Sequence, residues 1–117
     1  MMEKILMPLF GDDVAPRFDL ATEVIITSGD DSNSDRDQQI IVLPQPSAEQ
    51  LCHLILTEGI ETVICGGIEE EYFRYLVWKK VKVLDSVIGT WKAALNQYFR
   101  QGLQPGEILS TLTKKQK

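Results

Sequence analysis

The run TVIC, Thr62 to Cys65, is apolar at consecutive positions, with no alternation between faces. A strand of that kind suits a parallel sheet covered on both sides. It leads through Gly66-Gly67 into an amphipathic segment, Glu69 to Lys80, and then into a second short strand, Lys82 to Leu84. Parallel strands need a crossover of about a dozen residues, usually a helix, and this segment supplies one. Its three glutamates stand at the positive end of the helix dipole, and Lys79 and Lys80 at the negative end. Tyr72, Phe73, Leu76 and Val77 share one face.

The same logic extends to both sides. Upstream, Pro46-Ser47-Ala48-Glu49-Gln50 announces a helix with Ser47 as its cap and Gln50 completing a capping box. Leu51, Leu54 and Ile55 form its inner stripe, and Gly59 ends it. Downstream, Trp91 to Gln101 reads as a third helix with Ala94, Leu95, Tyr98 and Phe99 inward, ended by Gly102. Three strands precede the first helix: Glu3 to Phe10, Thr22 to Ser28 and Gln39 to Leu43. Pro8 belongs near the end of the first, where its missing N–H costs nothing. The polar stretch GDDSNSDRD, Gly29 to Asp37, reads as a solvated hairpin loop. The order β-β-β-α-β-α-β-α predicts an α/β fold, with a mixed five-stranded sheet and helices on its faces. Residues 1–102 make one domain, and residues 103–117, ending in KKQK, read as a loose tail.

The overall balance narrows the function. A net charge of −5 over 117 residues argues against non-specific binding to nucleic acid or anionic membrane, which needs clustered Lys and Arg. No window approaches the roughly 20 apolar residues of a membrane span. The N-terminal MMEKILMPLF lacks the parts of a secretion signal, so the expected location is the cytoplasm. Cys52 and Cys65, 13 positions apart, are expected reduced there, and they cannot form a closed Cys-only metal site.

In an open α/β sheet, ligands sit beyond the carboxyl ends of the strands, at the topological switch point. If the first and fourth strands are neighbours, two loops meet there, Gly11–Arg17 and Gly66-Gly67, with Asp85, Ser86 and Gly89 nearby. Bare glycines at a helix start allow an anion to approach backbone N–H groups, and Arg17 could add a guanidinium. A tight strand-to-helix turn accounts for the glycines equally well, with Arg17 paired to Asp12, Asp13 or Asp19. Cys65 ends the fourth strand. A thiol near a helix N-terminus can have a lowered pKa and become a metal ligand, while a small buried residue finishing a strand accounts for it as well.

Other candidates are weaker. His53, the single histidine, falls on the outer face of the first helix, and Cys52 suits core packing. Asp12, Asp13 and Asp19 invite a magnesium-nuclease reading. Two-metal nucleases need carboxylates from several strands, and here the core of the first strand has no acid and the fourth ends in Cys-Gly-Gly. Tyr75 and Trp78 lie off the inner stripe of the second helix, where they could serve a homodimer, another partner or the cover of a sheet edge.

Taken in order, the motif GDDVAPRFD, a β-rich segment, the motif ICGGI and a third helix with Gly89, Ala93, Ala94 and Leu95 resemble the dinitrogenase iron–molybdenum cofactor biosynthesis family. The resemblance spans about Glu3 to Gly102. It implies a ribonuclease H-like motif with strand order 3-2-1-4-5 and strand two antiparallel. It implies a non-enzymatic role, binding or carrying an iron–molybdenum–sulfur cluster or its precursor, with a cluster donor or acceptor protein as partner. Carried onto this chain, the ligand-facing residues are Arg17, Asp19, Cys65, Gly66 and Gly67, with Cys65 as the metal ligand. The alternative is a regulatory or interaction module on the same fold that has lost the cluster.

Overall fold

The computed structural model describes residues 3–29, 37–100 and 102–109. The elements are β1 (Glu3–Phe10), β2 (Asp13–Val14), a 3-10 turn (Phe18–Leu20), β3 (Glu23–Gly29), β4 (Asp37–Val42), α1 (Ala48–Thr57), β5 (Thr62–Ile64), α2 (Glu70–Trp78), β6 (Lys82–Leu84) and α3 (Trp91–Arg100). The sheet runs β4-β3-β1-β5-β6, with the short β2 folded back on the end of β1. β1 is antiparallel to β3 and parallel to β5, and β5 is parallel to β6. The α/β class and the order of the five main strands are those expected. The sixth strand is an addition: Gly11, at φ +64°, reverses the chain so that Val14 pairs with Leu9. The expected hairpin loop between β3 and β4 lies largely outside the described residues.

Alternation along the central strands builds a core on each face of the sheet. Leu6, Val63 and Cys65 point to the side of α1 and α2, where they meet Leu51, Ile55 and Leu76. Ile5, Met7, Leu9 and Ile64 point to the side of α3, against Trp91, Ala94 and Leu95. β1 and β5 are therefore covered on both faces, as the unbroken apolar runs require. Removing one such side chain to Ala typically costs about 2–5 kcal/mol.

Pro8 is buried inside the β1 ladder. Its carbonyl accepts from Ala15 N–H at 2.8 Å, on the edge shared with β2 and β5. The missing N–H falls on that same edge, between the last β5 pair at Leu6 and the first β2 pair at Leu9, where no ladder acceptor is waiting.

Helix ends follow local chemistry. Ser47 Oγ accepts from Gln50 N–H at 3.1 Å, and Gly59 leaves α1 at φ +67°. α2 is shorter than its sequence pattern. Lys80 adopts φ +72°, turning the chain toward β6. Val77, expected to face inward, is exposed, while Leu76 is buried and Tyr72 and Phe73 are half-buried. The helix rides over the edge strand β6, so one narrow line of side chains reaches the core.

The expected loose tail is corrected over residues 103–109. Leu103 and Leu109 are buried in the α3-side core, and Ile88 N–H and Leu109 N–H bond to Glu107 and Ile88 carbonyls, each at 3.0 Å. Apolar residues at two of these positions give the segment enough to bury. Residues 110–117 lie outside the described ones. No described helix is long and apolar enough to cross a membrane.

Candidate functional site

β1 and β5 lie side by side, which puts the switch point between the loops that follow them. The loop after β1 reaches across to the glycine turn. Gly67 N–H donates to the Pro16 carbonyl at 2.7 Å, and Phe18 N–H donates to the Gly67 carbonyl at 2.8 Å. Arg17 thus forms a parallel bridge with Gly67. The loop after β6 closes the other side: Ser86 N–H donates to Gly66 O at 2.9 Å and Val87 N–H to Cys65 O at 3.0 Å. The three loops converge as expected.

How they converge changes the role of the glycines. A Cβ on Gly66 would stand 2.6 Å from the Pro16 carbonyl oxygen and closer still to that of Ala15. Glycine is therefore required by the chain's own backbone packing against it. The Gly67 N–H, expected to stay open for an anion, is already bonded to Pro16.

Cys65 differs from the reactive thiol that a helix start suggests. It is 0% exposed and belongs to the core with Phe18, Val63 and Leu76. Burial, assisted by the charge of Asp85, pushes its thiol up to about 12 instead of down. Burial and Glu49 likewise push Cys52 up to about 11. A thiol so placed does not ionise readily and lies below the loop surface, unlike the activated thiol that a metal ligand at Cys65 calls for. Among the described residues, no three His, Cys, Asp or Glu side chains come together as a metal set.

Arg17 and Asp19 remain at the surface. Arg17 donates twice to the Asp19 carboxylate, from Nε to Oδ1 at 3.0 Å and from Nη2 to Oδ2 at 2.7 Å. The hydrogen bond and charge of Asp19 favour the charged guanidinium, and Glu69 adds to this. Phe18, between them in sequence, is buried with its ring 6.5 Å from that of Tyr72, so it anchors the loop in the core.

Beside this pair lies a cleft of about 320 Å³ at the carboxyl end of β1. Phe10, Ala15, Pro16, Leu20 and Ala21 form its apolar walls, and Arg17 is the charged residue in its described lining. Phe10 is 73% exposed and Leu20 57%, unusual for large apolar side chains. Sequence reasoning overlooked both. The available signal was position: Phe10 is the last residue of β1, and Leu20 follows a turn whose inward anchor is Phe18.

No family model matches the chain, and no curated protein matches it. Solved structures do. The fold is similar to that of PH0822, with a TM-score of 0.77 at 15% identity, covering 87% of this chain and 93% of that one. It is also similar to a "putative dinitrogenase" from Methanocaldococcus jannaschii, with a TM-score of 0.71 at 18% identity, covering 89% of this chain and 94% of that one. At such identities the likeness establishes a shared fold.

Proposed function

We propose that the protein is a non-enzymatic carrier that binds an anionic metal–sulfur species, an iron–molybdenum–sulfur cluster or its precursor, in the cleft at the end of β1. The observation that carries this reading is the cleft's composition: apolar walls with Arg17 as the charged group in the described lining. A guanidinium is weakly hydrated and offers several donors in one plane, which suits a large, soft, sulfur-surfaced anion. Apolar walls keep water from its surface. The GDDVAPRFD and ICGGI motifs, and the fold shared with a structure described as a "putative dinitrogenase", support the same reading.

In this form of the proposal the protein ligand is not Cys65. The cluster would be held through its outer sulfur atoms, with Arg17 as principal contact and Asp19 orienting the guanidinium. Loose holding of that kind suits cargo taken from a donor protein and handed to an acceptor. A second reading, an interaction module without cargo, is favoured by one fact: Asp19 already pairs with Arg17 in a bidentate contact.

Anaerobic titration of the apoprotein with thiomolybdate and with iron–molybdenum–sulfur clusters separates the two. Metal content after gel filtration is the readout. The carrier reading expects stoichiometric retention that Arg17→Ala abolishes and Cys65→Ala preserves. No retention by the wild type would leave the interaction module standing.

A further inference from the structure

A second groove, of about 440 Å³, lies between α1 and α2, on the side of the sheet opposite α3. Cys52, His53, Leu56, Tyr72 and Tyr75 line it, and Glu49 and Glu71 bring two carboxylates to it from the two helices, against the single imidazole of His53. Among the described residues, neither of these glutamates is in an ion pair, whereas the neighbouring Glu70 is paired with Arg74. Their field is felt inside the groove. The Tyr72 hydroxyl is pushed up by burial first, then by Glu71, Glu49, Glu69 and Cys52.

The aromatic surface continues out of the groove along α2. Tyr75 is 38% exposed and Trp78 is 70% exposed, with ring centroids 6.2 Å apart. The Lys79 ammonium stands 4.7 Å from the Trp78 centroid and 5.8 Å from that of Tyr75. The chain's own cation thus shows that this ring pair accepts an ammonium on its face.

We infer that the α1–α2 groove is a docking site for a cationic segment of a partner protein, one that presents lysine or arginine beside aliphatic side chains. Charge complementarity selects that occupant. Among the described residues Glu49 and Glu71 are in no ion pair, and the net charge of −5 disfavours an acidic partner. Lys79 already covers the Tyr75 and Trp78 rings, which leaves the two carboxylates as the groups for an incoming cation. A second copy of the chain would bring the same acidic helices to the contact. The groove accepts a few side chains, which fits a segment and not a whole domain face. It lies behind the loop that carries Arg17, since Tyr72 packs on Phe18, yet it shares no lining residue with the cleft.

The test uses the full-length apoprotein as bait for a random-peptide library, with the Glu49→Gln/Glu71→Gln double variant as counter-bait. The expected enrichment is in peptides rich in Lys or Arg with aliphatic neighbours. Their binding should shift Trp78 emission, weaken about tenfold or more in the double variant and in Tyr75→Ala, and stay unchanged in Arg17→Ala. Retention in the last variant keeps this result independent of the cluster reading. Enrichment of neutral or acidic peptides, or equal binding to the double variant, overturns the inference. So does a wild-type dimer in sedimentation that Tyr75→Ala returns to monomer, because the groove would then belong to a second copy.

Discussion

The Pro16 carbonyl oxygen occupies the space beside Gly66: a Cβ there would lie only 2.6 Å away, and the same oxygen accepts the Gly67 N–H at 2.7 Å. Both glycines of the ICGGI motif therefore serve the contact between two loops. Gly66→Ala should destabilise the protein by about 2–3 kcal/mol, because two backbone segments must move apart. Gly67→Ala, whose Cβ would meet the same oxygen at 3.3 Å, should cost less. Urea unfolding of both variants checks the order. Equal midpoints would mean the loops yield easily.

Cys65 should be chemically silent in the native state. Iodoacetamide should label it only as fast as the protein unfolds, since the thiol is buried and its pKa is raised from 9.0 to about 12. The sign for stability follows from the same shift. Between about 9 and about 12 the unfolded thiol ionises while the folded one stays protonated. Its contribution is fully present below the unfolded value and is lost as pH rises through that window. Cys65→Ala should flatten the alkaline decline in unfolding free energy. Rapid native labelling would place the sulfur at the surface and restore it as a candidate ligand.

Asp19 should restrain Arg17 without stabilising the fold. The pair is exposed on the Arg17 side, so Asp19→Asn should change stability by less than about 0.5 kcal/mol. Under the carrier reading, in which Asp19 orients Arg17, the same variant should retain thiomolybdate less well, and tighter retention would show that the carboxylate only competes for the guanidinium. A variant that loses stability would make the pair structural.

Leu109 should matter as a core residue. It is buried beside Val87, Trp91 and Leu103, and its side chain fills the space against Gly89, which sits at φ +143°. Leu109→Ala should cost about 2–4 kcal/mol. Gly89→Ala should act on the same contact, because its Cβ would lie 2.6 Å from Leu109 Cδ1. Near-ultraviolet circular dichroism at Trp91 reports both, and an unchanged signal with unchanged stability would mean that residues 103–109 dock without contributing.

The strands and helices were legible in the sequence because each follows from a local pattern. TVIC is apolar on both faces and lies buried on both. Ser47 caps α1, and Gly59 ends it, through contacts made within a few residues. Crossover length gave the parallel direction of the later strands, whereas the strand order of the main sheet was implied by the family resemblance. Where a local pattern competed with a distant neighbour, the pattern misled. The α2 stripe included Val77, but the helix sits over an edge strand and leaves that side chain in solvent.

The sequence by itself determined the α/β architecture and brought the VAPRFD and ICGGI loops to one end of the sheet. Only the tertiary structure decided what those loops do there. The nearness of Gly66 to a helix start made it look open to a ligand, yet the carbonyls of Ala15 and Pro16, far away in the chain, fill the space over it. Cys65 had the sequence position of an activated thiol, and its burial beneath Phe18 and Leu76 reverses the sign of its pKa shift. Phe10, Arg17 and Leu20 line one cleft because the fold brings the end of β1 and the turn after it together. Exposure and desolvation are set by what packs on a residue, and that is decided by segments remote from it in sequence.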